Sequence, residues 1–179
     1  MEEMRLKGDE AYFDALAAGR RKVLDNRTFK QPIRSIGMRA CAILGENDTA
    51  SAAIEAMRAK HIGSVLVTGA EGQLVGIFTE RDALNRLALG EKDPSRTPLR
   101  DLMHAHPETL TPEDDIGYAL RLMSHGGYRR VPLVDREGRP VGVISVRDIV
   151  DFIADHFPDD ILTLPSDPRK AIASKPEGA

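Results

Sequence analysis

An internal repeat constrains the fold of this chain more than any other feature. Shifting the sequence by 66 residues aligns residues 32–82 with residues 98–148 without a gap, and thirteen of the aligned positions are identical. The motif GIFTERD at Gly76–Asp82 thereby falls on GVISVRD at Gly142–Asp148. Self-similarity at a fixed period indicates one supersecondary unit built twice. We therefore expect two halves of similar structure.

Each half has the same order of predicted elements. A short apolar segment is followed by a helix, for which the second copy supplies Thr111 as the N-cap and Pro112 as the first helical residue. Ile116, Leu120 and Met123 recur at helical spacing and mark the buried face. Two apolar runs separated by a Glu-Gly turn then predict a β-hairpin, and a second amphipathic helix closes the unit. The expected order is strand, helix, strand, strand, helix.

The composition is that of a soluble globular protein, with 41% apolar residues to supply a core. The 25 Lys and Arg residues against 28 Asp and Glu residues give a net charge of -3, which provides no long-range attraction for nucleic acid. The N-terminus is charged from its second residue, and no apolar run reaches the roughly 18 residues that cross a bilayer. We expect a cytoplasmic protein with no membrane contact. The single cysteine, Cys41, excludes an intrachain disulfide and a cysteine cluster for zinc.

Three interpretations of the repeated motif remain open: helix capping, a catalytic pair, or two copies of a small-molecule site. Thr79 and Asp82, like Ser145 and Asp148, have the spacing of a capping box, and capping alone explains a single occurrence. The glycine at the start of each motif would let a ligand approach the strand closely. An aspartate at a helix N-terminus accepts hydrogen bonds from ribose hydroxyls, while the hydroxyl residue can donate to a phosphate. This division favours a nucleotide.

Catalytic and metal sites have weaker support. His104, His106 and Glu108 alternate in HAHPE, but a closed metal site needs further ligands that this spacing does not locate, so a solvated segment is favoured. No nucleophile, base and orienting acid can be assembled, and no phosphate-cradling loop with the P-loop spacing occurs. We expect a protein that is not an enzyme.

The order of apolar strand, Glu-Gly turn, G-h-h-[ST]-x-x-D motif and helix resembles the cystathionine-β-synthase (CBS) domain, and its duplication resembles a tandem CBS pair. The resemblance covers roughly Pro32 to Phe157. It implies an α+β fold of two βαββα repeats packed about a pseudo-twofold axis, with two clefts between them. It also implies a regulatory homodimer that needs no cofactor, senses an adenine nucleotide such as AMP, ADP or ATP, and signals to a protein effector.

The resemblance also assigns residues to each cleft by position. One cleft would be formed by Ser145, Asp148, Arg129 and Arg130, completed by Ala42, Ile62 and Gly63. The other would be formed by Thr79, Asp82 and Ser64, completed by Glu108, Tyr128 and Arg129. The adenine base would lie against Ala42, Ile62 and Tyr128. Because Ser64 stands in the second cleft where the first has Arg130, we expect weaker phosphate binding there; a solvated loop is the other explanation of the Arg129-Arg130 pair.

The expected boundaries are an N-terminal helical extension at 1–31, CBS repeats at 32–90 and 98–157, a linker at 91–97 and a C-terminal tail at 158–179. Two other functions remain open. One is a structural dimerisation module whose clefts hold no nucleotide. The other is a nucleic-acid-binding protein that uses Arg20, Arg21 and Lys22.

Overall fold

A computed structural model of the chain describes residues 27–39, 41–87 and 92–155. Almost all of them belong to one unit, Phe29–Ile149, and a second unit contributes residues 27–28 and 150–155 to the description. The expected N-terminal helix around Tyr12 and Leu16, the basic residues 20–22 and the C-terminal tail lie outside the described residues.

The described elements follow the predicted order in the first repeat, and in the second they do so from the helix onward, because the predicted opening strand at 108–110 is reduced to a single bridge at Leu110. The first repeat contains β1 (Ala42–Gly45), α1 (Ala50–Lys60), β2 (Ser64–Thr68), β3 (Leu74–Thr79) and α2 (Glu80–Leu87). The second contains β4 (His104–Ala105), α3 (Ile116–Gly126), β5 (Arg130–Val134), β6 (Pro140–Ser145) and α4 (Val146–Ala154). The α+β class is confirmed. None of the described helices combines the length and the apolar character that a membrane crossing requires.

The two sheets share one topology. In the first repeat β1 pairs with β2 in parallel, β2 with β3 antiparallel, and β3 with the short β4 antiparallel. In the second repeat β5 pairs with β6 antiparallel. The outer strands are each reduced to a single bridge: Leu110 pairs with Leu133 in parallel, and Arg39 pairs with Val143 antiparallel. The Leu110 bridge lies 66 residues after the Leu44–Val67 pair of β1 and β2. The duplication in sequence is therefore also a duplication of strand pairing.

The predicted Glu-Gly turns join the hairpin strands. Gly72, between β2 and β3, has a φ of 83°, and Gly138, between β5 and β6, has a φ of 77°. A side chain disfavours these left-handed values, so glycine is the residue each turn requires.

The segment that leads into each repeat is hydrogen-bonded to the other repeat. Backbone N–H groups of residues 33–34 donate to carbonyls of residues 112–114 at 2.9–3.0 Å. In the equivalent place, residues 99–100 donate to carbonyls of residues 46–48 at 2.8–3.0 Å. The two repeats therefore form equivalent backbone hydrogen bonds to each other, one set in each direction.

The exchange extends into the cores. Leu99 and Leu102, from the segment before the second repeat, are fully buried in the core of the first. Ile33, the counterpart of Leu99, is also fully buried. The other buried members of the first-repeat core are Ala42, Ala50, Ala53, Met57, Val65, Val67 and Phe78. The first repeat thus completes its core with side chains from outside its own boundaries.

The helix of the second repeat begins later than predicted. It begins at Ile116, with Asp115 in the N-cap position, whereas the sequence predicts an N-cap at Thr111. Thr111 instead closes a turn, because its N–H and Oγ1 donate to Asp114 Oδ2 at 2.6 and 3.0 Å. The carbonyls of Pro112 and Asp114 accept the hydrogen bonds of the exchanged segment, so this stretch is held outside the helix.

The buried face of α3 also differs by one residue from the prediction. Ile116, Ala119 and Met123 are buried, whereas Leu120 is 38% exposed. Ala119 therefore occupies the position against the core that the apolar spacing gives to Leu120.

The glycines that open the repeated motif make room for the chain itself. A Cβ on Gly76 would overlap the Met103 side chain and lie 3.2 Å from the His104 carbonyl oxygen. A Cβ on Gly142 would lie 3.5 Å from the Arg39 carbonyl oxygen, an ordinary contact. At Gly76 the missing side chain therefore makes room for Met103, whereas at Gly142 a Cβ would fit. That the glycines let a ligand approach the strand stays a prediction.

Candidate nucleotide cavities

Two cavities lie at the places where the repeated motifs pass from strand to helix. The first cavity has a volume of about 440 Å³ and is open to solvent on one side. It is lined by Arg39, Cys41, His61, Ile62, Gly63, Ser64, Arg129, Arg130, Val143, Ser145, Val146, Arg147 and Asp148. Both repeats contribute, and the size is within the range of small-ligand sites, roughly 300 to 1,000 Å³.

The second cavity is smaller, about 320 Å³. It is lined by Ile77, Thr79, Glu80, Arg81, Asp82, His104, Gly126, Gly127, Tyr128, Arg129 and Arg130. The two cavities share two arginines, Arg129 and Arg130, at the start of β5.

Most residues expected in the first cleft line the first cavity. These are Ser145, Asp148, Arg129, Arg130, Ile62 and Gly63. Ala42 does not, because its side chain is 4% exposed and lies in the core of the first repeat. Successive side chains of an extended segment point to opposite faces, so the neighbouring Cys41 lines the cavity instead.

The residues expected in the second cleft are divided between the two cavities. Those that line the second cavity are Thr79, Asp82, Tyr128 and Arg129. Ser64 is 6% exposed and lines the first cavity. Glu108 is exposed and lines neither, because β4 ends at Ala105 and the backbone turns through a left-handed His106, with a φ of 50°. His104 takes the position expected for Glu108.

Both motifs form capping boxes at the start of their helices. Ser145 N–H and Oγ donate to Asp148 Oδ2 at 2.7 and 2.6 Å, and Asp148 N–H returns a hydrogen bond to Ser145 Oγ at 3.4 Å. Thr79 and Asp82 repeat this geometry at 3.0, 2.6 and 3.3 Å. The predicted capping boxes are therefore present at both helix starts. Because each hydroxyl already donates to its aspartate, donation to a phosphate would require that hydroxyl bond to be given up.

Asp148 also carries a second contact that the sequence analysis missed. Its Oδ1 accepts a hydrogen bond from the Nε of Arg39 in an ion pair. Burial raises the pKa of Asp148, but the hydrogen bonds from Ser145 and Arg39 and the charge of Arg39 outweigh it, and the pKa is below its usual value. Asp148 is therefore a buried, ionised acceptor at neutral pH.

The charge around the two cavities differs. Among the described residues, the first cavity is lined by one carboxylate, Asp148, and by four arginines, Arg39, Arg129, Arg130 and Arg147. The second is lined by two carboxylates, Glu80 and Asp82, and by three arginines, Arg81, Arg129 and Arg130. The second cavity does not lack Arg130, as the sequence comparison implied. Its weaker positive balance comes instead from one additional carboxylate and one arginine fewer.

Gly63 allows Arg130 to reach both cavities. A Cβ at Gly63 would overlap the Arg130 guanidinium and lie 2.6 Å from a carboxylate oxygen of Glu80. The absence of a side chain therefore lets the guanidinium lie against the backbone between α1 and β2. This position explains why one arginine lines two cavities.

Three arginines that line the cavities escaped the sequence reasoning, which had a signal for two of them. Arg81 and Arg147 are identical in the two repeats, so the repeat itself could have identified them. Arg39 had no such signal, because its counterpart is Ala105.

The described part of the chain contains neither a cluster of metal ligands nor a reactive thiol. Across residues 27–39, 41–87 and 92–155, no three His, Cys, Asp or Glu side chains are grouped as metal ligands. His104 contacts Tyr128, with ring centroids 6.3 Å apart. Burial raises the pKa of the Cys41 thiol, so the thiol stays protonated at neutral pH.

Comparison with known proteins gives a consistent result. The family model described as "CBS domain" matches residues 33–89 and 99–155. An uncharacterised protein of Methanopyrus kandleri is 33% identical over 94 residues, which are 52% of this chain and 48% of that protein, so the chain spans about half the length of this relative.

Two solved structures contain adenosine compounds. A CBS domain protein of Pyrobaculum aerophilum, complexed with AMP, has a TM-score of 0.63 at 22% identity, over 71% of this chain and 98% of that one. The CBS domain pair of the protein MJ0100, in complex with 5′-methylthioadenosine and S-adenosyl-L-methionine, has a TM-score of 0.63 at 22% identity, over 70% and 97% of the two chains. These likenesses show the same fold.

Proposed function

The chain belongs to the CBS domain family, and on that premise we propose that it is a regulatory module that binds an adenosine-containing nucleotide of the AMP, ADP or ATP class. CBS domain pairs are generally regulatory rather than catalytic. The observation that carries the proposal is Asp148, a buried and ionised carboxylate that faces a cavity lined by arginines. The ligand would shift the population of two arrangements of the module and so change how it meets a protein effector.

The first cavity fits the parts of a nucleotide. Asp148 offers a carboxylate to the two ribose hydroxyls, since hydrogen bonds to an ionised acceptor are strong. Arg129, Arg130 and Arg147 line the same cavity and match the charge of a phosphate group. Ile62 provides an apolar surface for the base. The arginines take the phosphate role that the sequence suggested for Ser145, whose hydroxyl is committed to the cap.

The first cavity is the stronger of the two candidate sites. It is larger, and a single carboxylate opposes its arginines among the described residues. In the second cavity Glu80 and Asp82 both repel a phosphate, although Tyr128 and His104 add ring surfaces for a base. We propose occupation of the first cavity at lower nucleotide concentration than the second.

Structures of relatives support an adenosine ligand. The protein of Pyrobaculum aerophilum was crystallised with AMP, and the MJ0100 domain pair with 5′-methylthioadenosine and S-adenosyl-L-methionine. These compounds share adenosine and differ in what is attached to the ribose. The arginines of the first cavity favour the phosphorylated members of this set.

Isothermal titration calorimetry with AMP, ADP, ATP, NAD and S-adenosylmethionine tests the proposal. We expect saturable binding of at least one adenine nucleotide by the parent protein and by Asp114→Ala, which alters the same kind of turn outside both cavities. Absence of binding across the panel would leave a structural module with empty clefts as the better function. Retention of labelled RNA or DNA at physiological salt would instead favour nucleic acid.

A specific surface supports a homodimer as part of this function. An apolar groove of about 750 Å³ runs between α1 and α2 and includes Ile54, Met57, Ile62, Ala83, Leu84 and Leu87. Leu84 is 68% exposed. An exposed apolar groove on a small protein is typical of an interface, and a second copy would cover it by twofold symmetry.

Light scattering of Leu84→Asp tests the dimer. We expect the parent to have the mass of a dimer at tens of micromolar, and the variant to dissociate, because a charge would be buried in the interface. Val141→Asp, at a residue 41% exposed on β6 and outside the groove, is the matched control and should remain dimeric. A parent that is monomeric, or a variant that stays dimeric, contradicts this interface.

The domain boundaries follow as part of the same proposal. We place the CBS repeats at 32–90 and 98–157, joined by a linker at 91–97, with an extension at 1–31 and a tail at 158–179. Limited proteolysis within the linker should give fragments that match these repeat boundaries.

A further inference from the structure

Arg39 donates a hydrogen bond to Asp148, the carboxylate that the proposed ligand needs as an acceptor. Its Nε donates to Asp148 Oδ1, while Asp148 Oδ2 accepts from the N–H and the hydroxyl of Ser145. Both oxygens of the carboxylate are therefore already engaged. Each carboxylate oxygen accepts about two hydrogen bonds, so Oδ2 is saturated and Oδ1 has one place left. A ribose that binds Asp148 through both of its hydroxyls must therefore displace one donor, and Arg39 is the donor that lies outside the capping box of α4.

The backbone holds Arg39 at this place. Arg39 forms an antiparallel bridge to Val143 of β6, two residues before the capping serine, and its carbonyl oxygen lies close to Gly142. Its side chain is 54% exposed, whereas Asp148 is 7% exposed. The displaced guanidinium can therefore leave the carboxylate without movement of the core, but its backbone keeps it at the rim of the cavity.

The cost of displacing Arg39 depends on what the ligand brings. A neutral nucleoside takes Asp148 from Arg39 and brings no anion of its own. A nucleotide brings a phosphate into a cavity that Arg39 itself lines, so the displaced guanidinium regains an anionic partner. The ion pair therefore weakens the binding of nucleosides more than the binding of nucleotides.

Resting on the proposed function, we infer that Arg39 is a specificity-determining residue that makes the first cavity select phosphorylated adenosine ligands over adenosine itself. In the ligand-free state it competes with the ribose for Asp148. With a nucleotide bound it joins the phosphate-binding arginines. None of the other arginines of the cavity is paired with Asp148 among the described contacts.

The test is a comparison of Kd values for adenosine and AMP in the parent, Arg39→Gln and Arg39→Lys. In Arg39→Gln we expect adenosine to bind about two- to fivefold more tightly, because a partly exposed ion pair no longer competes. AMP should bind equally or more weakly. The ratio of the two Kd values should therefore fall by about threefold or more, and Arg39→Lys, which keeps the charge, should stay within about twofold of the parent ratio.

The matched control is Arg34→Gln, because Arg34 is also 54% exposed and paired with a carboxylate, Glu113, but lines neither cavity. Its Kd ratio should equal that of the parent. Melting curves without ligand confirm that every variant is folded at the titration temperature. An unchanged ratio in Arg39→Gln, with AMP bound by the parent, refutes the inference alone. Absence of adenosine and AMP binding in all proteins refutes the selection, and the proposed function is refuted with it when ADP and ATP also fail to bind.

Discussion

Comparing alanine substitutions of Asp148, Asp82 and Asp114 separates ligand binding from helix capping. Asp148→Ala removes the ribose acceptor of the first cavity and the cap of α4 at once. Asp82→Ala does the same in the second cavity, and Asp114→Ala removes an equivalent turn that faces neither cavity. The three variants therefore share the loss of a Ser/Thr–Asp contact and differ in what else is lost.

The expected magnitudes follow from the contacts. A hydrogen bond to a charged group contributes about 1.5–3 kcal/mol. Displacement of Arg39, whose side chain is 54% exposed, offsets roughly 0.2–1 kcal/mol of that gain in the parent. The remainder predicts a loss of nucleotide affinity of about tenfold for Asp148→Ala, since about 1.4 kcal/mol is a factor of ten. Asp82→Ala should weaken binding less, because its cavity is the less positive one.

Stability should rank the variants by their contacts. Loss of a cap costs about 0.5–2 kcal/mol, which lowers the melting temperature by about 1–8 °C in a chain of this length. Asp148→Ala should lose more than Asp82→Ala, because Asp148 also pairs with Arg39. Asp114→Ala should lower the melting temperature without changing affinity.

Calorimetric titration with AMP and ATP, run beside melting curves, measures both effects. Equal destabilisation of Asp148→Ala and Asp82→Ala with unchanged nucleotide affinity would refute the ribose role and leave capping as the whole explanation of the motif. A loss of affinity in Asp114→Ala as large as that in Asp148→Ala would show that destabilisation of the fold, and not loss of a ligand contact, weakens nucleotide binding.

Two further predictions concern stability. Because the pKa of Asp148 is lowered in the folded protein, its charged form stabilises the fold above the unfolded pKa of about 3.9, and this contribution is lost as pH falls through the lower native pKa; the melting temperatures of the parent and Asp148→Asn should therefore draw together as the pH falls below about 5, and a constant difference would contradict this. Gly76→Ala should cost about 1 kcal/mol or more, because its Cβ would overlap Met103, whereas Gly142→Ala meets only ordinary contacts and should cost less in chemical denaturation; equal costs would contradict the close approach.

The sequence predicts the repeated fold well because duplication reports on local structure twice. The Glu-Gly turns appear at Gly72 and Gly138 with the same left-handed backbone, and the capping boxes appear at both helix starts. Neighbouring residues determine these features, so a single sequence is enough to predict them. The start of α3 is different, because the carbonyls near Asp114 bond to a distant segment that overrides the local preference for a helix at Thr111.

The site is predictable only where it follows the motif. Asp148 and Arg130 line the first cavity as expected, since they lie at fixed positions beside the strand end. Ala42 and Cys41 exchange roles because a shift of one residue along an extended segment moves a side chain to the opposite face. Arg39 reaches Asp148 across 109 positions of sequence, and no local pattern reports such a pair.

The exchange of leading segments bears on the ancestry of the chain. A single ancestral repeat could bury the hydrophobic residue at the position of Ile33 or Leu99 only by lending it to a second copy. Such a protein would have been a domain-swapped dimer of separate chains, and its assembly would have depended on the protein concentration. Tandem fusion makes that encounter intramolecular, with an effective concentration on the order of millimolar. It also releases the two copies from identity, and the arginine at position 39 opposite the alanine at position 105 is such a divergence.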